Sequence, residues 1–593
     1  MKQGNIEHWT DDKLNSNLLI FSQLVNELLF DYSIPSNKIS TLNSHYLCYD
    51  AMLTIADIEA KGVPEGTLKP IAEEFYDVLS KDIVFQIKNE QPIKFFIKRT
   101  PQRYVEAKPN ELNYQELKLI ISAIHNKYFN DDWYFNSLKK EIADRVKTSD
   151  SKEWKNLFKL TKIFLTEVVN GGYDPRYIYE TLHAHFFNKK TSNDKIDIDS
   201  FLDTFNFSEN VYTVIIKSPA TMKRVFSFSK SFKVIKQKVS KEKQCNAFFN
   251  SKNCDIFYSL NVKSYDKYRA VSRSKRKVEM LLSQYKLFDH KFDIDSTSLV
   301  YAVESDMLKL CTIDSPVGAV LKKGTLSNER IAKKMENCQK IISHLSEERN
   351  FHDLHTFNKA LILHSRSIES DSEENQLLDL WSIFETVLDI NNKHTSDRIQ
   401  QICFMLIPIL KRRYIYSLFE QLANDVFLYS SELFNDITGM NQVNDKSISE
   451  LCAFTLVDSY KDKREEFLQK IKLFPLMQER IIYYNEMLST KEKCAKFVEK
   501  HLTRIKWQIM RIYRNRNLII HNGERMPYLA LLIENLHYYV DDFIEYIIEA
   551  FSKNLILYNM ELDLFIQERD WMKYFNNKKD RILKEDIAHI LSY

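Results

Sequence analysis

Tyr513-Arg514-Asn515-Arg516-Asn517-Leu518-Ile519-Ile520-His521-Asn522-Gly523 ends a long helical pattern and decides how the C-terminal half of the chain is read. Ser489 and Glu492 have capping-box spacing, which predicts a helix start near residue 489. Asn522-Gly523 supplies a residue that tolerates the left-handed conformation, and Pro527 follows, so the helix is predicted to stop there. Between these ends Ile505, Ile509, Ile512, Leu518 and Ile519 are apolar, while Lys500, Arg504, Lys506, Arg511, Arg514 and Arg516 are basic. No acidic residue falls between positions 500 and 516. A basic helix face ending in arginine and histidine suits a phosphate backbone, because Arg forks to phosphate oxygens and His moves protons near neutral pH. At a helix C-terminus the macrodipole favours the protonated imidazole, the acid form.

Arg516-Asn517-Leu518-Ile519-Ile520-His521 resembles the motif of HEPN ribonucleases: an Arg, a polar residue, three further residues, then His. Arg514 fits a looser form of the same motif. Arg349-Asn350 with His355 also has a permitted spacing, but it lies outside the order of elements in that family. A second stretch, residues 377–388, resembles the second helix of Apea-like HEPN domains. It is aromatic-led and apolar and carries one glutamate, Glu385; Leu378, Trp381, Glu385 and Leu388 share a helical face. A carboxylate on an apolar face needs a partner, and the motif arginine is the natural one. The resemblance covers roughly the last 240 residues.

The resemblance implies a metal-independent endoribonuclease of the abortive-infection, anti-phage type. It would act on single-stranded RNA, tRNA included, with a phage-derived trigger. Arg516, Asn517, His521 and Glu385 would form the site, with Lys500, Arg504, Arg511 and Arg514 binding RNA. On an ideal helix Arg516 and His521 are about 140° apart, so one copy makes a poor self-contained site. HEPN domains pair across a shared cleft, so a homodimer is expected. The alternative is a non-catalytic helical protein whose bundle dimerises or docks a partner.

Composition narrows the other classes. The 593 residues are 44% hydrophobic and 13% aromatic, enough for several packed cores. Nine glycines and twelve prolines favour helices over a turn-rich β protein. A net charge of +3 gives no global argument for nucleic-acid binding, which must rest on local patches. Residues 1–17 are polar and no apolar run reaches the length of a membrane span, so a cytoplasmic location without membrane attachment is expected. The eight cysteines are scattered, with no paired metal-ligand spacing, and reduced thiols are expected. Neither phosphate-loop pattern nor HExxH nor GxSxG occurs, and no metal or cofactor is expected.

In order along the chain, the fold expected is mainly α. Residues 1–205 read as a helical, regulatory region, with helices over 15–29, 67–79, 114–128, 154–169 and 175–187 and an extended piece over 83–97. His183 and His185, two apart in a helix, face different ways and read as packing residues. Residues 206–325 read as a small α+β or β-rich module with strands over 211–216, 226–234, 256–262 and 299–303. Two basic groups lie there: Lys223, Arg224, Lys230, Lys233, Lys236 and Lys238, then Tyr265, Tyr268, Arg269, Arg273, Lys275, Arg276 and Lys277. The second could stack and hold single-stranded RNA, or form a solvated face. Residues 326–593 read as a HEPN-like bundle with a long helical insertion over 395–488. Its last helix, 528–552, is apolar on more than one face and so is either central or interfacial.

Overall fold

Asn15 accepts the backbone N–H groups of Asn17 and Leu18 and so opens the first described helix, Ser16–Leu28. From there the computed structural model describes the chain apart from residues 1–14, 30–37, 61–66, 89, 91–92, 94–113, 149, 188–196, 237–242, 250–254, 293–298, 305–309, 312–327, 349, 371, 389–397, 524–525, 553–559, 576–579 and 593. It is mainly helical, with one small antiparallel sheet, and divides into two compact units. The first joins residues 1–167 to 319–593, and the second comprises 168–318. The helical N-terminal region expected over 1–205 is therefore shared between the two. Among the described residues no helix is long and apolar enough to cross a membrane.

In the first unit the expected N-terminal helices form at Leu68–Lys81, Tyr114–Tyr128 and Trp154–Asn170. Residues 83–88 differ from expectation: Asp82 accepts the Val84 N–H at 2.9 Å and starts a short helix, Ile83–Lys88, where an extended piece was predicted. Most of the remainder of that piece lies outside the described residues.

Two large apolar cores carry the C-terminal part of this unit. One is the bundle core, where Trp381 and Phe384 meet Ile505, Ile509, Ile512, Leu532, Leu536 and Phe543. The helix Leu529–Ser552 runs through it, so its many apolar residues are used within the chain. Arg398–Lys411, expected as part of the insertion, also packs into this core through Ile402, Leu406 and Ile409. The rest of the insertion, from Tyr414–Tyr429 to Pro475–Leu488, builds a second core with Trp571, Phe575 and Ile590 near the end of the chain.

One helix, Lys491–Asn522, serves both cores: Cys494 and Val498 belong to the second, Ile505, Ile509 and Ile512 to the bundle. Its N-cap is Thr490, whose side chain accepts the Lys493 N–H. Ser489, the cap expected from the sequence, has helical backbone angles and ends the preceding helix; Thr490 has the extended angles a cap requires. The predicted stop is present, with Gly523 at φ +65, a conformation costly for a residue with a Cβ.

The second unit is organised by strand β1 (Asn210–Ser218). It pairs antiparallel with β3 (Ile256–Ser264) on one side and β4 (Val300–Glu304) on the other. β2 (Lys233–Ile235) and β5 (Leu310–Cys311) are the edges, in the order β2-β3-β1-β4-β5. Alternation works as the period of two demands. Val214 and Ile216 pack under the helix Lys267–Lys286, while Ile215 faces Phe248, Phe249 and Phe257. The strand expected over 226–234 is mostly absent. Lys223–Phe226 is a single helical turn, Phe228 is 68% exposed between buried Phe226 and Phe232, and only residues 233–235 pair. The basic residues 223, 224 and 230 therefore do not line a strand. His183 and His185 lie in a π-helical turn, His183–Phe187, and His185 Nδ1 donates to the Thr181 carbonyl at 2.8 Å.

A pH dependence follows from the packing of His501, which lies flat on Tyr414 with ring centroids 3.6 Å apart. Loss of water around the ring, with Arg504 nearby, pushes its pKa down from 6.5 to about 3. The folded protein keeps this ring neutral while the unfolded chain protonates it, so stability falls as pH drops from 6.5 toward that value. Urea unfolding followed by circular dichroism at stepwise lower pH should show this slope, and His501→Phe should remove part of it. An unchanged slope in the variant would assign the dependence to other groups.

Candidate active site

The motif lies on the last two turns of Lys491–Asn522. Ile509 and Ile512 turn one side of this helix into the bundle core, and Leu518 on the opposite side packs against Tyr46, Met526 and Tyr528, which together fix its rotation. Arg516 is left partly exposed beside the end of the helix Glu373–Val387. Its Nη2 donates to Glu385 Oε2 at 3.4 Å, and its Nη1 donates to Asn517 Oδ1 at 3.1 Å. Glu385 Oε1 accepts the indole N–H of the fully buried Trp381 at 3.0 Å, and that ring packs near Tyr513 with centroids 5.7 Å apart. The contact expected between Glu385 and Arg516 is thus present, held from behind by a tryptophan locked in the core. His521 is exposed in the last turn, about 7.5 Å further along the axis than Arg516. The structure therefore brings Glu385, Arg516 and Asn517 together as a hydrogen-bonded chain, with His521 one turn beyond Asn517.

Of the four expected RNA-binding residues, Arg511 and Arg514 have to be reassigned. Arg511 is 1% exposed and Arg514 5%, because both guanidinium groups turn into the N-terminal helices. Arg514 Nη2 donates to Asp50 Oδ2 at 2.8 Å, and Arg511 Nε donates to the same oxygen at 3.2 Å. Arg511 also pairs with Glu74 and donates to Gln508 Oε1 at 2.7 Å. The Tyr528 hydroxyl donates to the other Asp50 oxygen at 2.8 Å. Burial alone would raise the Asp50 carboxyl, but Arg514, Arg511 and Tyr528 together hold it below its ordinary value. At Glu74 burial outweighs the same Arg511 charge, with Asp50 repelling, and the carboxyl is raised. These arginines are interior counter-ions, out of reach of a phosphate.

Lys500 and Arg504 remain at the surface, one turn apart on the helix. Their surroundings could not be read from the sequence. Burial, then Arg504, Lys81 and Lys159 push the Lys500 pKa down, and burial followed by Arg504 pushes Lys162 down to about 8. Basic groups of the Leu68–Lys81, Trp154–Asn170 and Lys491–Asn522 helices thus lie near one another, with Asp77 paired to Lys81 among them, about 18 Å along the axis from Arg516.

The other groups singled out in the sequence have ordinary structural roles. Asn350 caps the helix Phe351–Glu369 by accepting the Asp353 N–H, and His355 on that helix is exposed; Arg349 lies outside the described residues. In the second unit Tyr268 is buried with its hydroxyl on Glu180, and Arg273 pairs with Glu209 at 2.6 Å. Tyr265 packs against Gly172, at φ +115, where an added Cβ would lie 2.8 Å from the ring. Tyr268 is thus inside the fold, and Tyr265 sets its ring against the backbone.

No family model matches the chain, nor does any curated protein or solved structure.

The Asp50 network gives a direct test of how firmly the motif helix is anchored. Removing one partner from a buried ion pair typically costs about 3–5 kcal/mol, because the other charge is left in the interior. Asp50→Ala should destabilise the protein by that order in chemical denaturation. A loss below about 1 kcal/mol would show that water reaches and solvates both arginines instead.

Proposed function

We propose that the chain is a metal-independent endoribonuclease of HEPN type. The observation that carries this reading is the placement of Arg516. It is held by Glu385 and Asn517 and partly open to solvent, and Asn517 lies one helical turn before an exposed His521. The 2′-hydroxyl of RNA attacks the adjacent phosphorus, the bond to the 5′-oxygen breaks, and a 2′,3′-cyclic phosphate and a 5′-hydroxyl result. His521 moves the proton as general acid or base, and Arg516 stabilises the charge growing on the phosphorus oxygens. Asn517 and Glu385 fix the guanidinium in that direction. Lys500 and Arg504 hold the RNA backbone further along the helix. Resemblance to the family further supports an anti-phage, abortive-infection role with single-stranded RNA, tRNA included, as substrate. The N-terminal helices, which clasp the far side of the motif helix, would then restrain it until a trigger binds.

The occupation of Arg516 by Glu385 and Asn517 also favours a second reading, a purely structural clamp in a bundle that docks a partner. Cleavage assays separate the two. Cleavage should leave a 2′,3′-cyclic phosphate, persist in excess EDTA and spare DNA. His521→Ala should lose about 10²–10⁴-fold in rate, the usual contribution of general acid–base catalysis. Arg516→Ala should lose a similar amount, whereas Arg504→Ala should mainly weaken binding and flatten its salt dependence. Metal-dependent cleavage leaving 5′-phosphates would overturn the mechanism. Wild type without activity or toxicity would favour the clamp.

A shared cleft requires two copies. Because Leu529–Ser552 is spent within the bundle, the case for a homodimer now rests on the divergence of Arg516 and His521 around the helix. Mass measurement in solution at micromolar concentration, free and with RNA, should give a dimer. A monomer under both conditions would sink the shared cleft.

A further inference from the structure

His537 and Asp541 lie one turn apart on the helix Leu529–Ser552, and so project from the same side. His364 reaches them from Phe351–Glu369, 177 positions before Asp541 in the chain. One nitrogen of each ring and a carboxylate oxygen all lie within 4.8 Å of one another. His364 Nε2 is 3.0 Å from Asp541 Oδ1, and His537 Nδ1 is 3.6 Å from Asp541 Oδ2. The two rings are stacked, with centroids 5.0 Å apart and planes at 26°. The side chains of His364, His537 and Asp541 are 23%, 6% and 19% exposed, so the group is mostly enclosed but reachable from one side.

A hydrogen bond accounts for the shorter separation only. At 3.6 Å the second nitrogen–oxygen pair is too long for one, and two imidazoles converge on one carboxylate. A tetrahedral ion with bonds of about 2.0–2.2 Å keeps its ligand atoms roughly 3.3–3.6 Å apart; the 3.6 Å pair has this spacing, and the 3.0 Å pair, made to the other carboxylate oxygen, is slightly closer. Two imidazole nitrogens and a carboxylate oxygen suit a divalent first-row transition ion. They are too few oxygens for calcium or magnesium and too hard a set for copper(I).

We propose that His364, His537 and Asp541 bind one divalent transition-metal ion of the zinc class, with the exposed side left to water. The sequence suggested no metal because its ligands come from two helices far apart in the chain. The ion ties Phe351–Glu369 to Leu529–Ser552, and both pack against Glu373–Val387, the helix that carries Glu385. It shares no residue with Arg516, Asn517 and His521, so it stabilises the bundle and takes no part in phosphate chemistry. The site holds whether or not the chain cleaves RNA.

The full chain, purified without a histidine tag and without chelator, tests this. Titration with Co²⁺ should give the visible absorption of a tetrahedral or five-coordinate nitrogen–oxygen site, saturating at one ion per chain and displaced by Zn²⁺. Zn²⁺ should raise Tm. The partly exposed His364→Ala and the near-isosteric Asp541→Asn should each weaken binding at least about 100-fold, while the far-ultraviolet circular dichroism stays that of wild type. Absence of any Co²⁺ spectrum and of any Zn²⁺ effect on Tm would overturn the site. So would metal binding of unchanged affinity in both variants. If either variant fails to fold, the wild-type titration alone decides.

Discussion

A single buried carboxylate, Asp50, governs where the motif helix can lie. Two arginines one turn apart on that helix cannot enter the interior without a counter-charge, and the helix carries no acid between residues 500 and 522. Asp50 accepts from both, and Tyr528 completes its hydrogen bonding from the chain that leaves the helix. A carboxylate in this position has low energy only while both guanidinium groups remain on it, and they in turn need it. Position and rotation of the helix are thereby coupled to the N-terminal region. A second network of the same kind lies where Arg480 binds Glu27 through both carboxylate oxygens and Asp425 at 3.0 Å. Each network joins an N-terminal helix to a helix more than 400 positions later.

Most of the helices were legible because their signals are local. Asn15 and Gly523 act within a few residues of themselves, and the strand at 211–216 is rich in β-branched residues. Residues 226–234 misled because an aromatic spacing close to two also arises when a helical turn runs into a bend, and only burial tells them apart: Phe228 is exposed where a strand would bury it. At the N-cap, Ser489 and Thr490 both have the chemistry, and the extended backbone chose the second.

The site was legible in part for the same reason. Glu385 stood out as one carboxylate on an apolar face, and its partner could be named from charge. The same reasoning applied to Asp50, within the apolar helix Ser44–Glu59, would have flagged a buried cation, though not which one. Without that partner, Arg511 and Arg514 read as a basic surface stripe when they are interior. A row of like charges along a helix says nothing of which are solvated; that depends on a counter-ion supplied from another part of the chain.

The motif helix, at 32 residues about 48 Å long, crosses the second core, the bundle core and finally a small cluster where Leu518 meets Tyr46, Met526 and Tyr528. It acts as a common axle for parts that the chain order would separate. The practical result concerns dissection of the protein. A boundary near residue 326 looks like a natural place to cut, yet a fragment starting there would carry Arg511 and Arg514 with no acid to neutralise them and Leu518 with no Tyr46 to cover it. The C-terminal half is therefore not a portable module, and the smallest piece that can hold the motif in this geometry includes the helices at the opposite end of the chain.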